Sequence, residues 1–322
     1  MSTITSFQVV LDALLDEHRA FPRAYLRAFS DLGPVNLRDL LAVWPKVGVK
    51  RRRQLLVDLR ALAEEDTLLS FDDFARSLLK DEDGMVRAAA IRLLWDCDDV
   101  KLIPDYLHIL TSDPDPATRA AAATGLGGFV LSGEFDEIPQ RFLRQVEDAL
   151  LVAATGSDTA LVRRRAVESL GFSSRPEVPA LIEAAFAHSD PDWVVSALFA
   201  MGRSSDERWE EQVLAGLTND DLRIRQAAVE AAGELSLSAA RPLLLEMLQE
   251  EEEAEIVQAI IWSLSQIGGE DVRTVLITLL DQIEDDEMVE FLEEALENLE
   301  FTEEMNRFDL MALDLDEDEP EK

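Results

Sequence analysis

The side chains that most often bind metals or act as nucleophiles are scarce in this chain. It contains three histidines, His18, His108 and His188, and a single cysteine, Cys97. A catalytic metal site needs several such ligands close together, but the sequence holds no H-E-x-x-H motif and no C-x-x-C pair. Cys97 is flanked by acidic residues, which raise the pKa of a thiol and weaken it as a nucleophile. We therefore expect no metal ion, no cofactor and no catalytic residue in this protein.

The glycine-containing and acidic segments do not match nucleotide or calcium loops either. The run Gly125-Leu-Gly-Gly128 lacks the third glycine of a dinucleotide loop, and no G-x-x-x-x-G-K-[ST] sequence is present. In the acidic run Asp81-Glu-Asp-Gly84, a calcium loop would need an aspartate at position 79, where the chain has leucine. This acidic run is interpreted as a turn between helices.

The charge of the chain is its most informative surface property. Its 30 lysines and arginines stand against 66 aspartates and glutamates, which gives a net charge of −36. Such a charge repels nucleic acids, so we expect no nucleic-acid partner. Residues 246–322 hold only 3 basic residues against 27 acidic ones. This C-terminal acidity predicts a basic or amphipathic protein partner whose binding weakens as salt is added.

Two basic clusters and five tryptophans stand out against this background. The clusters are Lys50–Arg53 and Arg163–Arg165. Adjacent arginines on a helix point in different directions, so we interpret both clusters as structural residues that pair with acidic residues in the turns between helices. Tryptophans at helical spacing usually pack inward, and we expect core or inter-helix packing for the whole group. Its members are Trp44, Trp95, Trp193, Trp209 and Trp262.

An internal repeat indicates which elements carry these residues. Apolar residues recur on one helical face, four and eight positions after each anchor, as in Val162, Ala166 and Leu170. Successive anchors are separated by 32, 44, 31, 31, 32 and 32 residues. A period held over seven copies predicts stacked helical hairpins whose neighbours share one core. The anchors are Val86, Thr118, Val162, Trp193, Ile224, Ile256 and Met288.

The helix boundaries carry signals of their own. An acidic residue stands three positions before most anchors, as in Asp83 and Asp115, and Thr159 takes this place in one copy. Such side chains favour the first turn of a helix, where backbone N–H groups lack partners. Glycines such as Gly127 and Gly202 either end the first helix or let the next helix approach closely. Each repeat is therefore predicted to contain a first helix and a shorter second helix.

The unit D-x-x-V-R-x-x-A-x-x-x-L-G, followed by a second helix with an early proline, resembles the short HEAT repeat found also in phycobilin lyase subunits. The resemblance covers about residues 80–300 and implies an all-α fold, a right-handed α-α superhelix. The repeat arginine, present as Arg87, is replaced by Val194, Val257 and Val289, so a ladder of arginines would be interrupted. Another HEAT-type enzyme, deoxyhypusine hydroxylase, binds iron through paired His-Glu motifs, and no histidine here is followed by glutamate.

Three regions follow from the repeat. Residues 1–79 are helical but out of register and are interpreted as an N-terminal helical cap, and residues 80–301 hold about seven HEAT-like repeats. About 12 extra residues in the second copy predict an insertion in 128–139, with a second helix lengthened through Ala154. Residues 302–322 are acidic, have no repeat counterpart and are expected to form a disordered tail.

The sequence is interpreted as that of a non-enzymatic scaffold or adaptor that binds a protein on its HEAT-repeat surface. By the resemblance, second helices would line the concave surface, which nominates contacts at Asp105, His108, Glu183, Glu246 and Gln249. The alternative is a phycobilin lyase-like or chromophore-carrier protein, and a third hypothesis is an adaptor whose acidic tail folds on binding. No segment matches a membrane span or a signal peptide, so we expect a cytoplasmic protein without a membrane partner. The sequence leaves the oligomeric state open and favours a monomer.

Overall fold

The described part of the molecule is helical. The computed structural model describes the backbone of residues 6–316 and the side chains of residues 6–305. Within residues 6–316 it contains α-helices and short 3-10 helices, and no β-strand. Two compact units are present, Met1–Ser173 and Ser174–Lys322. The all-α class predicted from the repeat is confirmed.

The first unit is built from α-hairpins. Its helices are α1 (Phe7–Leu15), α2 (Pro34–Val43), α3 (Val49–Glu65), α4 (Asp72–Leu78), α5 (Gly84–Leu93), α6 (Leu102–Ser112), α7 (Pro116–Glu134), α8 (Gln140–Thr155) and α9 (Ala160–Leu170), with 3-10 helices at Arg23–Phe29 and Trp44–Lys46. The first helices α3, α5, α7 and α9 pack in series. The second helices α4, α6 and α8 each pack on the first helix that follows.

The second unit repeats this arrangement. Its helices are α10 (Val178–Phe186), α11 (Pro191–Arg203), α12 (Glu210–Leu217), α13 (Leu222–Glu234), α14 (Arg241–Glu250), α15 (Ala254–Ile267), α16 (Glu270–Leu280) and α17 (Asp286–Asp316), with 3-10 helices at Glu207–Trp209 and Ser238–Ala240. The first helices α11, α13, α15 and α17 pack in series, and each second helix packs on the first helix that follows it. The first helices therefore form a continuous layer within each unit.

Six of the seven anchors lie in the core of the hairpins, as predicted, and Met288 is half-buried. Val86 and Val162 are fully buried, and Ile256 is 3% exposed. Full burial of an aliphatic side chain contributes about 1.5–3 kcal/mol to stability. Thr118 is the polar exception, and it is accommodated because its hydroxyl donates to the carbonyl oxygen of Gly84 at 2.8 Å.

The predicted caps are present at most first helices. The carboxylate of Asp83 accepts a hydrogen bond from the backbone N–H of Val86 at 3.1 Å, and that of Asp285 accepts one from Met288 at 2.9 Å. Glu253 makes no side-chain cap, because its side chain is one methylene longer than the aspartate that the motif favours. The turn interpretation of Asp81–Gly84 agrees with the cap that Asp83 forms here.

The repeat glycines serve close packing more than helix termination. Gly127, Gly202 and Gly233 lie inside first helices, and only Gly171 stands at a helix end. A Cβ atom on Gly233 would lie 2.7 Å from the Cα atom of Ser263 on the next first helix. Of the two alternatives that the sequence left open, close helix approach therefore holds at three positions.

Arginine side chains join successive hairpins of the first unit. The Nε of Arg52 donates to the carbonyl oxygen of Val47 at 2.9 Å, and its Nη1 lies 3.0 Å from the carboxylate of Asp81. Arg87 binds the next turn in the same manner, donating to the carbonyl of Asp81 and to both carboxylate oxygens of Asp113, all at 2.7 Å. The arginine that marks the repeat is thus already present in α3, within the region interpreted as a cap.

The other clustered arginines are structural too. Arg53 forms an ion pair with Asp83 at 2.6 Å, and Arg163 donates to the carbonyl oxygen of Ala154 at 3.1 Å. These partners lie in the turns between hairpins, where carboxylates and helix-terminal carbonyl groups need donors. The structural interpretation is confirmed for Arg52, Arg53 and Arg163, whereas Arg165 pairs with Glu168 on its own helix and not between repeats.

Two sequence expectations need correction. The second helix of the second copy is lengthened as predicted, since α8 runs to Thr155, but residues 128–134 of the predicted insertion form the last turns of α7, because they carry no helix-breaking proline. The expected disorder of 302–322 is not confirmed over 302–316, because α17 continues to Asp316. The rest of that tail lies outside the described residues. The three predicted domain boundaries stay a prediction.

Candidate functional site

The five contact residues predicted from the sequence lie on second helices. Asp105 and His108 are one turn apart on α6 of the first unit, where Asp105 is half-buried and His108 is exposed. In the second unit, Glu183 lies on α10, whereas Glu246 and Gln249 lie on α14, and all three are exposed. Glu183 therefore belongs to a different hairpin from the other two. The role of these residues in partner binding stays a prediction.

The tryptophans separate into two groups. Trp44, Trp193 and Trp209 are 5%, 8% and 1% exposed, as expected for packed side chains. Trp95 and Trp262 are 59% and 39% exposed. Trp262 makes an inter-helix contact with Phe291 of α17, as predicted, whereas Trp95 follows the end of α5 and is too exposed for the predicted packing.

A groove of about 380 Å³ crosses the first helices α13, α15 and α17 of the second unit. Trp262 and Phe291 form its aromatic part, with ring centroids 6.3 Å apart and planes inclined by 37°. Glu230 and Glu234 of α13 and Glu255 of α15 line the rest of the groove. An aromatic face beside carboxylates attracts a ligand that carries both a positive charge and apolar surface.

The carboxylates of this groove remain available for a ligand. Glu230 accepts a hydrogen bond from Nε2 of Gln226 at 3.0 Å, and neither Glu234 nor Glu255 forms an ion pair with another described residue. Burial among protein atoms raises the pKa of Glu234, the charge of Arg203 partly lowers it, and the charge of Glu230 raises it again. Glu234 is also exposed to solvent, which agrees with a position inside an open groove. A cation placed there would stabilise its ionised form.

A cleft of about 450 Å³ lies in the first unit. Its walls combine Phe29 and Phe71 with the polar side chains of Arg76 and Asp99, which form an ion pair at 2.9 Å. Nη2 of Arg76 also donates to the sulfur of Cys97 at 3.2 Å. Burial is the main cause that raises the pKa of the Cys97 thiol, so the group is protonated at neutral pH. The predicted direction is confirmed, although the neighbouring acids are a smaller cause than burial.

Metal sites and membrane spans are absent from the described residues. Among them, no group of three or more His, Cys, Asp or Glu side chains is placed to hold a metal ion. No helix in that part combines the length and the apolarity needed to cross a membrane.

Several known proteins are similar to this chain in sequence or in fold. The uncharacterized phycocyanin operon protein Z of Pseudanabaena tenuis is 26% identical over 166 residues, which is 51% of this chain and 79% of that protein. A chain in the complex of CpcE and CpcF of phycocyanin lyase from Nostoc superposes with a TM-score of 0.52 and 17% identity, over 88% of this chain and 97% of that chain. Human deoxyhypusine hydroxylase superposes with a TM-score of only 0.36 and 18% identity, over 83% and 98% of the two chains. The likeness to the lyase complex shows a shared fold.

These similarities correct one conclusion from the sequence. The chain was interpreted as non-enzymatic because local catalytic motifs are missing. That expectation is wrong in view of the phycocyanin operon relative and the fold shared with a phycocyanin lyase, which point to a lyase-like protein. The physical reason for the error is that a protein which acts by holding two reactants together needs no compact motif.

The repeats show to which family the chain belongs. HEAT repeats match four overlapping stretches, residues 73–140, 103–202, 178–265 and 210–297. These stretches begin at α4, continue through the hairpins of both units and end within α17. They cover more than half of the sequence, and each contains first helices with buried anchors and second helices packed on them. The chain belongs to the HEAT-repeat family.

Proposed function

We propose that this HEAT-repeat protein is a lyase-type subunit that binds a phycocyanin-like protein and its bilin chromophore. The phycocyanin operon relative and the fold shared with a phycocyanin lyase support this function. Within the structure, the observation that carries it is the open groove of the second unit, in which the exposed Trp262 lies beside three carboxylates. A groove of this kind suits a protein segment better than a small neutral molecule.

The chemistry of the groove defines the segment that it would bind. Tryptophan is enriched among the residues that contribute most to protein binding. Glu234 and Glu255 lack ion-pair partners among the described residues and would pair with lysine or arginine side chains. The groove would therefore fit a basic or amphipathic partner, which is the class that the net charge of the chain predicts. Binding should accordingly weaken as the salt concentration rises, because screening reduces attraction between exposed charges.

The proposed role does not require a nucleophile from this chain. Holding a chromophore and its acceptor protein in a reactive orientation replaces an encounter between two molecules by a step within one complex. The Cys97 thiol, whose pKa is raised by burial, is poorly suited to attack. We therefore assign to this chain the binding and orientation of the two reactants. The monomeric state and the cytoplasmic location stay predictions.

Chromophore attachment provides a direct test. A bilin is incubated with an apo-phycocyanin subunit, with and without this protein, and covalent product is measured as absorbance that survives denaturation. We expect the protein to change the rate of attachment or release. When the concentration of this protein is limiting, Trp262→Ala should reduce its effect on the rate of attachment or release about 10-fold or more. The reason is that truncation of a central tryptophan costs about 2 kcal/mol of binding free energy. Phe301→Ala is the matched control, because it removes a 63% exposed aromatic side chain of the same unit outside the groove.

The outcomes separate binding from lyase-type action. If apo-phycocyanin binds and the chromophore reaction keeps its rate, the lyase-type function is overturned and protein binding alone remains. If Trp262→Ala and Phe301→Ala reduce the effect equally, the groove is not the docking site. If binding to the wild type does not respond to salt, the carboxylates of the groove do not contribute to it.

A further inference from the structure

Trp262 has a counterpart among the first helices of the second unit. Phe199 of α11 and Trp262 of α15 both stand six residues after the anchor of their repeat, so they occupy equivalent positions. On α11, the guanidinium carbon of Arg203 lies 4.0 Å from the centroid of the Phe199 ring. A cation over an aromatic face is attracted by the ring, and tryptophan attracts it most strongly. The first helices of this unit therefore already contain one arginine stacked on an aromatic ring.

The same pairing is incomplete on α15. Arg203 stands ten residues after its anchor, and α15 carries the uncharged Gln266 at that position. Trp262 is 39% exposed and contacts Phe291, and no guanidinium or ammonium group of a described residue lies over its ring. The indole face is thus open to a cation that a partner supplies.

Two carboxylates lie in the same groove as this ring. Glu230 and Glu234 are one turn apart on α13, and they line the groove together with Trp262 and Gln266. The side chain of Gln266 reaches α13, because a Cβ atom on Gly233 would overlap its Oε1 atom. Since Gly233 directly precedes Glu234, the amide lies between the aromatic ring and the acidic side of the groove, where α15 packs on α13.

The oxygen atoms of the groove match a guanidinium group. Oε2 of Glu230, both carboxylate oxygens of Glu234 and the side-chain oxygen of Gln266 form no hydrogen bond with another described residue. A guanidinium group carries five N–H donors in one plane, so it can stack on an indole ring while its edge donates to carboxylate oxygens. An ammonium group is compact and strongly hydrated, and it offers no flat surface to the ring.

We propose that the groove selects an arginine side chain of its partner, with the guanidinium group stacked on Trp262 and paired with the carboxylates of Glu230 and Glu234. This inference rests on the proposed function for the conclusion that the groove receives a protein segment. It narrows a basic partner to one residue type. A segment that presents lysine in place of this arginine has the same charge and binds more weakly.

Three blocked peptides test this selection, because they differ in one side chain. Acetyl-Gly-Xaa-Gly-amide carries arginine, lysine or citrulline at Xaa, and citrulline is planar like arginine but uncharged. Dissociation constants for the full-length protein are measured by ligand-observed NMR titration. We expect the arginine peptide to bind about 5-fold more tightly than the lysine peptide and about 10-fold more tightly than the citrulline peptide.

Variants of the groove locate the selected side chain. Trp262→Leu keeps an apolar side chain without a ring and should remove the preference for arginine over lysine. Glu230→Gln combined with Glu234→Gln should weaken binding of both basic peptides about 10-fold. The matched control is Glu293→Gln combined with Glu297→Gln, which removes two exposed charges one turn apart on α17 outside the groove and should retain both affinities.

A substitution at position 266 tests the comparison with α11 directly. Gln266→Arg places an arginine one turn after Trp262, as Arg203 stands one turn after Phe199, and should abolish binding of the arginine peptide by occupying the ring. Gln266→Lys adds the same charge without a planar group, so it should reduce binding and not abolish it. Equal affinity of Gln266→Arg and the wild type would show that the cation does not lie on Trp262.

Each remaining result supports or overturns the selection. If the three peptides bind alike, if none binds at millimolar concentration, or if groove and control variants lose equal affinity, the arginine site is overturned. If the arginine peptide binds selectively but apo-phycocyanin does not bind, the arginine site stands and the proposed function fails. Circular dichroism of each variant must match the wild type, and the comparison of the three peptides on the wild type does not depend on any variant.

Discussion

The two units use the same hairpin but neutralise its turns differently. In the first unit, Arg52 with Asp81 and Arg87 with Asp113 form ion pairs whose side chains are at most 11% exposed. In the second unit, Arg225 approaches Glu251 only to 3.4 Å, and the pair of Arg223 with Asp192 is 59% and 40% exposed. Valines replace the repeat arginine at 194, 257 and 289. Packing of the apolar anchors therefore suffices for the fold, and the arginine pairs are an addition to it.

This difference leaves unpaired carboxylates in the second unit. The turn carboxylates Asp81 and Asp113 of the first unit are paired with arginines, whereas Glu234 and Glu255 of the second unit form no ion pair with another described residue. A surface charge that the fold does not use can be used for a ligand.

Removal of a repeat arginine should give the largest difference in stability loss between the two units. Arg87→Ala leaves the carboxylate of Asp113 buried without its partner, which costs about 3–5 kcal/mol. Arg225→Ala removes a 3.4 Å contact to Glu251 and a 2.9 Å hydrogen bond to the carbonyl oxygen of Asn219, and should cost about 1–2 kcal/mol. Hydrogen exchange of amides in α5 and α13 measures the two local losses. Arg38→Ala, on a pair that is 73% and 50% exposed, is the control and should change nothing.

Equal losses from Arg87→Ala and Arg225→Ala would contradict the comparison. That result would mean that the longer pair of Arg225 contributes as much as the shorter, bidentate pair of Arg87. A loss at Arg87 confined to amides of its own helix would also contradict it, because the pair joins α5 to the turn before α7.

Glycine substitutions should give the next largest effect. A Cβ atom on Gly233 would lie 2.7 Å from the backbone of Ser263, so Gly233→Ala should destabilise by about 1–3 kcal/mol through overpacking. Gly128→Ala meets no atom within 4 Å and should stabilise α7 by up to about 1 kcal/mol. Denaturant midpoints of the two variants measure the difference. A destabilised Gly128→Ala would show that the surface over α7 is not open.

The repeat was predictable because it rests on local rules. The face formed by Val162, Ala166 and Leu170 needs only helical spacing, and the cap at Asp83 needs only its distance from the anchor. The course of 128–134 was not predictable in the same way, because an extended helix and a loop both satisfy the spacing between anchors. Packing of α7 along α9 decides between them, and that contact is distant in sequence.

The candidate groove was harder to predict than the fold. Trp262 stands six residues after its anchor Ile256, but the same position is buried at Glu168, so the spacing alone does not mark an outward residue. The contact of Trp262 with Phe291 was also beyond such reading, since it depends on the packing of α15 against α17.

Acid should act in opposite directions on Glu234 and on the paired aspartates of the first unit. The hydrogen bond from Arg119 lowers the pKa of Asp158, and that from Arg53 lowers the pKa of Asp83, so the stability they contribute is lost as pH falls below about 3.9. The raised pKa of Glu234 has the reverse sign, and its ionised form destabilises the fold above about 4.3. Amides of α13 should therefore gain protection as pH falls from about 7 toward about 4.3, while those of α5 stay constant over that range. Glu234→Gln should abolish the gain, and a gain of equal size in both units would contradict this assignment.

Salt should have the smallest effect and should act mainly on the second unit. Residues 246–322 hold 27 acidic residues against 3 basic ones, so their like charges repel at low ionic strength. Raising NaCl from 0.01 to 0.1 M shortens the screening length from about 30 to about 10 Å and should increase protection of α15 amides. The buried pairs of the first unit are short-range, so α5 should change little. Sucrose at equal osmolarity is the control, because it favours compact states without screening charge. A gain that sucrose reproduces, or one that α5 shares, would show that charge repulsion does not distinguish the two units.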